Sequence, residues 1–105
     1  MSGVNPHRYQ YEKIGAAILF LMLPDSAFEQ NLAGAMAEFA LAFGTTPPSD
    51  PARPHVETIK QIMRGEPYEH RAAALTATDR VEIVTAFWEL DRTVSREYHT
   101  YEARR

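Results

Sequence analysis

The sequence predicts an all-α fold, a small bundle of about four helices. Apolar residues recur at intervals of three and four through most of the chain, and no stretch alternates with period two for long enough to make a strand. Gly and Pro gather at a few points and cut the chain into helix-length pieces. The length of 105 residues allows one hydrophobic core. The chain therefore reads as a single helical domain over 1–105, with a helix hairpin at 6–43, a Pro-rich linker at 44–54 and further helices at 55–64 and 77–103.

The first helix opens at Asn5, a good N-cap residue, with Pro6 at the first helical position. Pro24 disfavours helical geometry in the residue before it, so the helix should end near Leu23. Tyr11, Ile14, Ile18 and Leu21 form one stripe. Leu19, Phe20, Met22 and Leu23 make the second half apolar all round, which calls for burial on every side.

The second helix starts with Ser26 and Glu29, a capping-box pair. Its stripe is Phe28, Leu32, Met36, Phe39 and Phe43, and Gly44 follows where a left-handed cap is usual. The short connection through Pro24 makes the two helices an antiparallel hairpin.

Residues 44–54 contain Pro47, Pro48, Pro51 and Pro54 and read as a stiff connector. The third helix carries Val56, Ile59, Ile62 and Met63 and stops at Gly65. A weak segment from Tyr68 to Leu75 has room for one or two turns. The last helix begins after Thr76, with Asp79 three residues on. Its stripe is Ile83, Phe87, Leu90, Val94, Tyr98 and Tyr101.

Composition excludes several classes. With no Cys there is no disulfide framework, thiolate zinc site or iron–sulfur cluster. The net charge of −3 lacks the basic excess of a general nucleic-acid binder. Neither half is a charged tail: residues 1–54 carry three basic and five acidic side chains, and 55–105 carry eight and nine. The apolar run from Ile14 to Leu23 is too short to span a bilayer, which takes roughly 20 residues. Glu12 and Asp25 sit badly for an export signal, so a cytoplasmic location is expected.

Geometry points to a partner. A helix of about 28 residues is roughly 42 Å long. A spherical domain of about 100 residues, with a radius of gyration near 13 Å, is about 34 Å across. The last helix should overhang it while carrying Val94, Tyr98 and Tyr101, with Trp88 nearby. Aromatics exposed at helical spacing mark an interface. Leaving Leu19, Phe20 and Leu23 in water would forgo about 1.5–3 kcal/mol each. A helix-mediated two-fold homodimer is the commonest way to close such faces. The expected interface residues, toward self or partner, are Leu19, Phe20, Leu23, Val94, Tyr98 and Tyr101.

Catalytic signals are absent from the sequence. His7, His55, His70 and His99 fall in no metal-binding pattern, and Ser2, Ser26, Ser49 and Ser95 in no nucleophile elbow. The five glycines are scattered. Arg92, Arg96, Arg104 and Arg105 form a basic ridge, but Glu89, Asp91, Glu97 and Glu102 interleave with it and largely cancel its field. The gap from Gly65 to Thr76 is too long for a helix-turn-helix turn. No enzyme activity, metal, cofactor or direct nucleic-acid contact is expected. The alternative is a small-ligand-binding bundle or minor enzyme, with a pocket between the second and last helices lined by Phe39, Phe43 and Trp88.

The size, the lack of Cys and the opening Met1-Ser2-Gly3-Val4-Asn5-Pro6-His7-Arg8-Tyr9 resemble the small quorum-sensing anti-activators. That resemblance implies a helical dimer that binds and inhibits a LuxR-type transcription factor. It transfers no individual functional residue.

Overall fold

The computed structural model describes residues 4–65 and 67–105. These form five helices and no strand: α1 (Arg8–Leu21), α2 (Phe28–Ala42), α3 (Arg53–Ile62), α4 (Tyr68–Ala73) and α5 (Ala77–Ala103). The all-α reading holds, with the weak segment supplying the short α4.

Local chemistry explains where each helix starts, and it corrects several expectations. Asn5 does not cap α1 in the ordinary way. Its Oδ1 accepts from the His7 N–H at 2.9 Å and forms a turn, so α1 begins at Arg8. Ser26 and Glu29 form no capping box, and Ala27 is the N-cap of α2. Asn31 binds the turn instead, donating from Nδ2 to the Leu23 carbonyl at 2.9 Å. Pro54 belongs to α3 rather than to the linker, because proline fits a helix's first turn without losing a bond. At the N-terminus of α5, Thr76 and Asp79 do form a reciprocal box.

The two glycine stops differ. Gly65 has φ +97° and is the only left-handed residue among those described. Gly44 is not left-handed. A Cβ there would lie 2.8 Å from the Ala40 carbonyl oxygen, so glycine is required by a close approach.

Packing follows from the stripes. α1 and α2 form the expected hairpin, α1 and α3 each pack on α5, and α4 packs on α2. The Phe20 ring lies so close over Gly34 that a Cβ there would meet it at 2.5 Å. Ile14, Leu32, Ile59, Ile83, Phe87 and Leu90 are fully buried in one core. Each such side chain contributes about 1.5–3 kcal/mol of transfer free energy. Phe39 and Phe87 meet edge to face at 5.9 Å and join α2 to α5.

The overhang expected of the last helix is not found. The body measures 48 × 27 × 21 Å, with a radius of gyration of 14.1 Å. The domain is elongated rather than spherical, and its longest dimension exceeds the length of α5, about 40 Å. The start of α1 runs beside the end of α5 and covers it.

Candidate functional site

The six interface residues expected from sequence fall into two environments. Val94 is 1% exposed and part of the core. It is closed by its own chain and is withdrawn from the interface set. Tyr98 stacks on Tyr11 with ring centroids 4.1 Å apart and planes 3° from parallel. Tyr101 meets His7 edge-on at 6.1 Å. Both tyrosines are half-buried against the N-terminal segment, so the aromatic stripe is an internal seam and not an open face.

Asn5 fastens that seam. It is buried, and its Nδ2 donates to the Tyr98 carbonyl and to Glu102 Oε2, each at 3.0 Å. The hydrogen bond from Asn5 is the largest cause that holds the Glu102 carboxyl below its usual range, with Arg105 helping.

The α1 residues behave differently. Leu19 is 67% exposed, and Met22 and Leu23 are also exposed, so the second half of α1 is not wrapped on every side. Phe20 is half-buried over Gly34 and serves the hairpin. Leu19 and Leu23 remain available for contact. They have company in Trp88, which the sequence set near the expected interface, and in Val81, which sequence reasoning missed. Trp88 is 42% and Val81 69% exposed on α5.

The Tyr11–Tyr98 stack fixes an antiparallel register between α1 and α5. Counting from it puts Leu19 and Met22 level with Leu90 and Phe87, within about one turn of Trp88. Farther along, Phe28 lies under the Arg80 guanidinium, 4.7 Å from the ring centroid. Phe28, Val81, Val84 and Thr85 wall a shallow, mostly apolar cleft of about 340 Å³. Exposed apolar side chains thus occur on both helices of the α1–α5 pair near the hairpin end. A signal existed: Val81, Thr85 and Trp88 are spaced four and three, a second stripe on α5 beside the core stripe.

The structure also tests the expected ligand pocket. Phe39 and Phe43 line a cleft of about 280 Å³, but its other wall is Lys60, Met63 and Tyr68. Trp88 is not among its lining residues. It points away because it stands one residue, about 100° of helix, beyond the buried Phe87.

A larger cleft, about 820 Å³, lies beside the last turns of α5 and includes His7, Arg96, Thr100, Tyr101 and Arg104. No group of three or more metal-ligating side chains forms among the described residues. Asp91 is half-buried, and burial pushes its carboxyl up. No described helix is long and apolar enough to cross a membrane. No protein-family model, curated protein or solved structure matches the chain.

Proposed function

We propose that the protein is a non-enzymatic interaction protein. Two copies associate through the apolar flank of α1 and α5, and the pair binds and inhibits a regulatory protein in the cytoplasm. The observation that carries this reading is the exposure of Leu19 on α1, Met22 and Leu23 just past it, and Val81 and Trp88 on α5. Large apolar side chains gathered on a surface mark a contact site more often than a solvent face.

The regulatory partner in this reading is a LuxR-type quorum-sensing transcription factor. Support for that comes from the small Cys-free chain and from the sequence of its opening Met1–Tyr9, of which Met1, Ser2 and Gly3 lie outside the described residues. An anti-activator of this kind acts by sequestration, so it needs no catalytic site and no contact with DNA. The test is a gel shift with a LuxR-type factor on its operator. The protein should release the factor from DNA at near-stoichiometric ratio, and a complex that persists under a large excess contradicts the reading.

A second reading has one observation in its favour. The cleft at Phe39 and Phe43 has an apolar, methionine-lined floor and Lys60 at its edge, which suits a small amphipathic anion. A strong thermal stabilisation by one small molecule, lost in Phe43→Ala, would favour it.

A further inference from the structure

The cleft at Phe39 and Phe43 changes character from floor to rim. Met36, Phe39 and Met63 are each no more than 4% exposed and form its floor. Phe43 and Tyr68 are half-buried and form its walls. Lys60 is exposed and stands at the rim. Most of these residues come from α2 and α3, which do not pack on each other: α2 packs on α1 and α4, and α3 on α5.

Floor and walls offer two thioethers and three aromatic rings. The rings of Phe39 and Phe43 are tilted 57° to each other, with centroids 5.6 Å apart. Thioether sulfurs and tilted rings both make favourable contacts with a further aromatic ring, a gain that an alkyl chain does not share. The rim is different. Lys60 is the one cation that lines the cleft, and no carboxylate lines it among the described residues. Lys60 also forms no ion pair among those residues. The C-caps of α2 and α3, Phe43 and Met63, both line the cleft. Helix carbonyl ends disfavour an anion deep in the floor, so a negative group belongs at the rim, beside the ammonium and within reach of water. Ligand sites commonly span about 300–1,000 Å³, so a cleft of about 280 Å³ fits one or two rings rather than a long molecule.

We propose that this cleft binds a small aromatic monocarboxylate, with its ring on the floor of Met36, Phe39 and Met63 and its carboxylate at Lys60. The inference rests on the second reading above and names its ligand class. The ring supplies the affinity, because an ion pair at an exposed lysine adds little. The carboxylate sets the orientation.

The test is a titration of the whole chain with 2-naphthoate, followed by nuclear magnetic resonance of the methionine methyl groups. Met36 and Met63 should shift saturably, and Met22, which lies outside the cleft, should not. Lys60→Gln should weaken 2-naphthoate about threefold, the scale of an exposed ion pair, and leave the uncharged 2-naphthalenemethanol unchanged. Octanoate, an acyl chain with the same carboxylate, should bind more weakly than 2-naphthoate. Lys60 lies on the surface, and circular dichroism checks that the helices persist. No effect of Lys60→Gln, equal weakening of the acid and the alcohol, or octanoate binding as tight as 2-naphthoate would overturn the ligand class while leaving the cleft a small-molecule site. No saturable shift of Met36 or Met63 with any of the three compounds would overturn the second reading and this inference with it.

Discussion

The two ends of the α1–α5 pair both carry large aromatic or apolar side chains and end in opposite states. At one end Tyr11, Tyr98 and Tyr101 are covered by the incoming chain, and Asn5 closes the seam with hydrogen bonds to Tyr98 and Glu102. At the other, Leu19, Met22 and Val81 are mostly exposed and Trp88 partly so. An apolar stripe thus means an interface only where the chain does not fold back to use it. At the closed end the start of α1, through Tyr11, and the segment before it, through Asn5 and His7, cover the tyrosines of α5.

The sharpest contrast is between neighbours. Phe87→Ala should cost about 3–5 kcal/mol, because it empties a fully buried site that Phe39 packs against. Trp88→Ala, one residue on, should change monomer stability by only about 0.5 kcal/mol. Urea denaturation of both variants measures the difference. Equal losses would mean that Trp88 is no surface residue.

At the closed end Asn5 makes three hydrogen bonds besides the ring contacts. Asn5→Ala leaves the Tyr98 carbonyl and the His7 N–H without their partner, so a loss of about 1–3 kcal/mol is expected in the same denaturation experiment. Gly34→Ala tests the hairpin behind the open flank. Its Cβ would strike the Phe20 ring, a cost of about 1–3 kcal/mol that the roughly 1 kcal/mol helix preference of Ala offsets only in part. If that variant proves more stable than the parent, Phe20 is looser than its position implies.

Smaller effects come from two carboxylates with opposite signs. Glu102 has its pKa lowered, first by the Asn5 hydrogen bond. It stabilises the fold above the unfolded carboxylate pKa, and that stabilisation is lost as pH falls through the folded value. Asp91 is raised by burial, so its ionised form opposes folding above its folded pKa, and acid relieves the cost. Glu102→Gln should therefore lower Tm at neutral pH, and Asp91→Asn should raise it. Both differences should shrink as melting is repeated toward pH 3. Shifts of the same sign for the two variants would break the assignment.

Much of the fold was legible because helix stripes and breakers are local signals. The stripe from Ile83 through Val94 and the Thr76–Asp79 box fixed α5 in sequence and in space. The failures were long-range. Asn5 looked like a cap, and its amide goes instead to a carbonyl ninety-three residues away. Pro54 looked like linker because proline marks both loops and first turns. The overhang rested on a spherical body, and the body is elongated. Within the site, Leu19 and Leu23 lie exposed, as an interface requires, whereas Val94 lies in the core. Periodicity names the face of a helix but not which neighbour covers it.

The central claim is that the open flank is where two copies meet. Sedimentation equilibrium across micromolar concentrations tests it most directly. The wild-type chain, 11.9 kDa, should sediment at twice that mass. Leu19→Glu combined with Trp88→Glu should return it to the monomer with its helices intact, and Tyr98→Ala should lower stability without changing the mass. A wild-type chain that stays monomeric throughout, or a doubly charged variant that dimerises as tightly as the parent, would contradict the account.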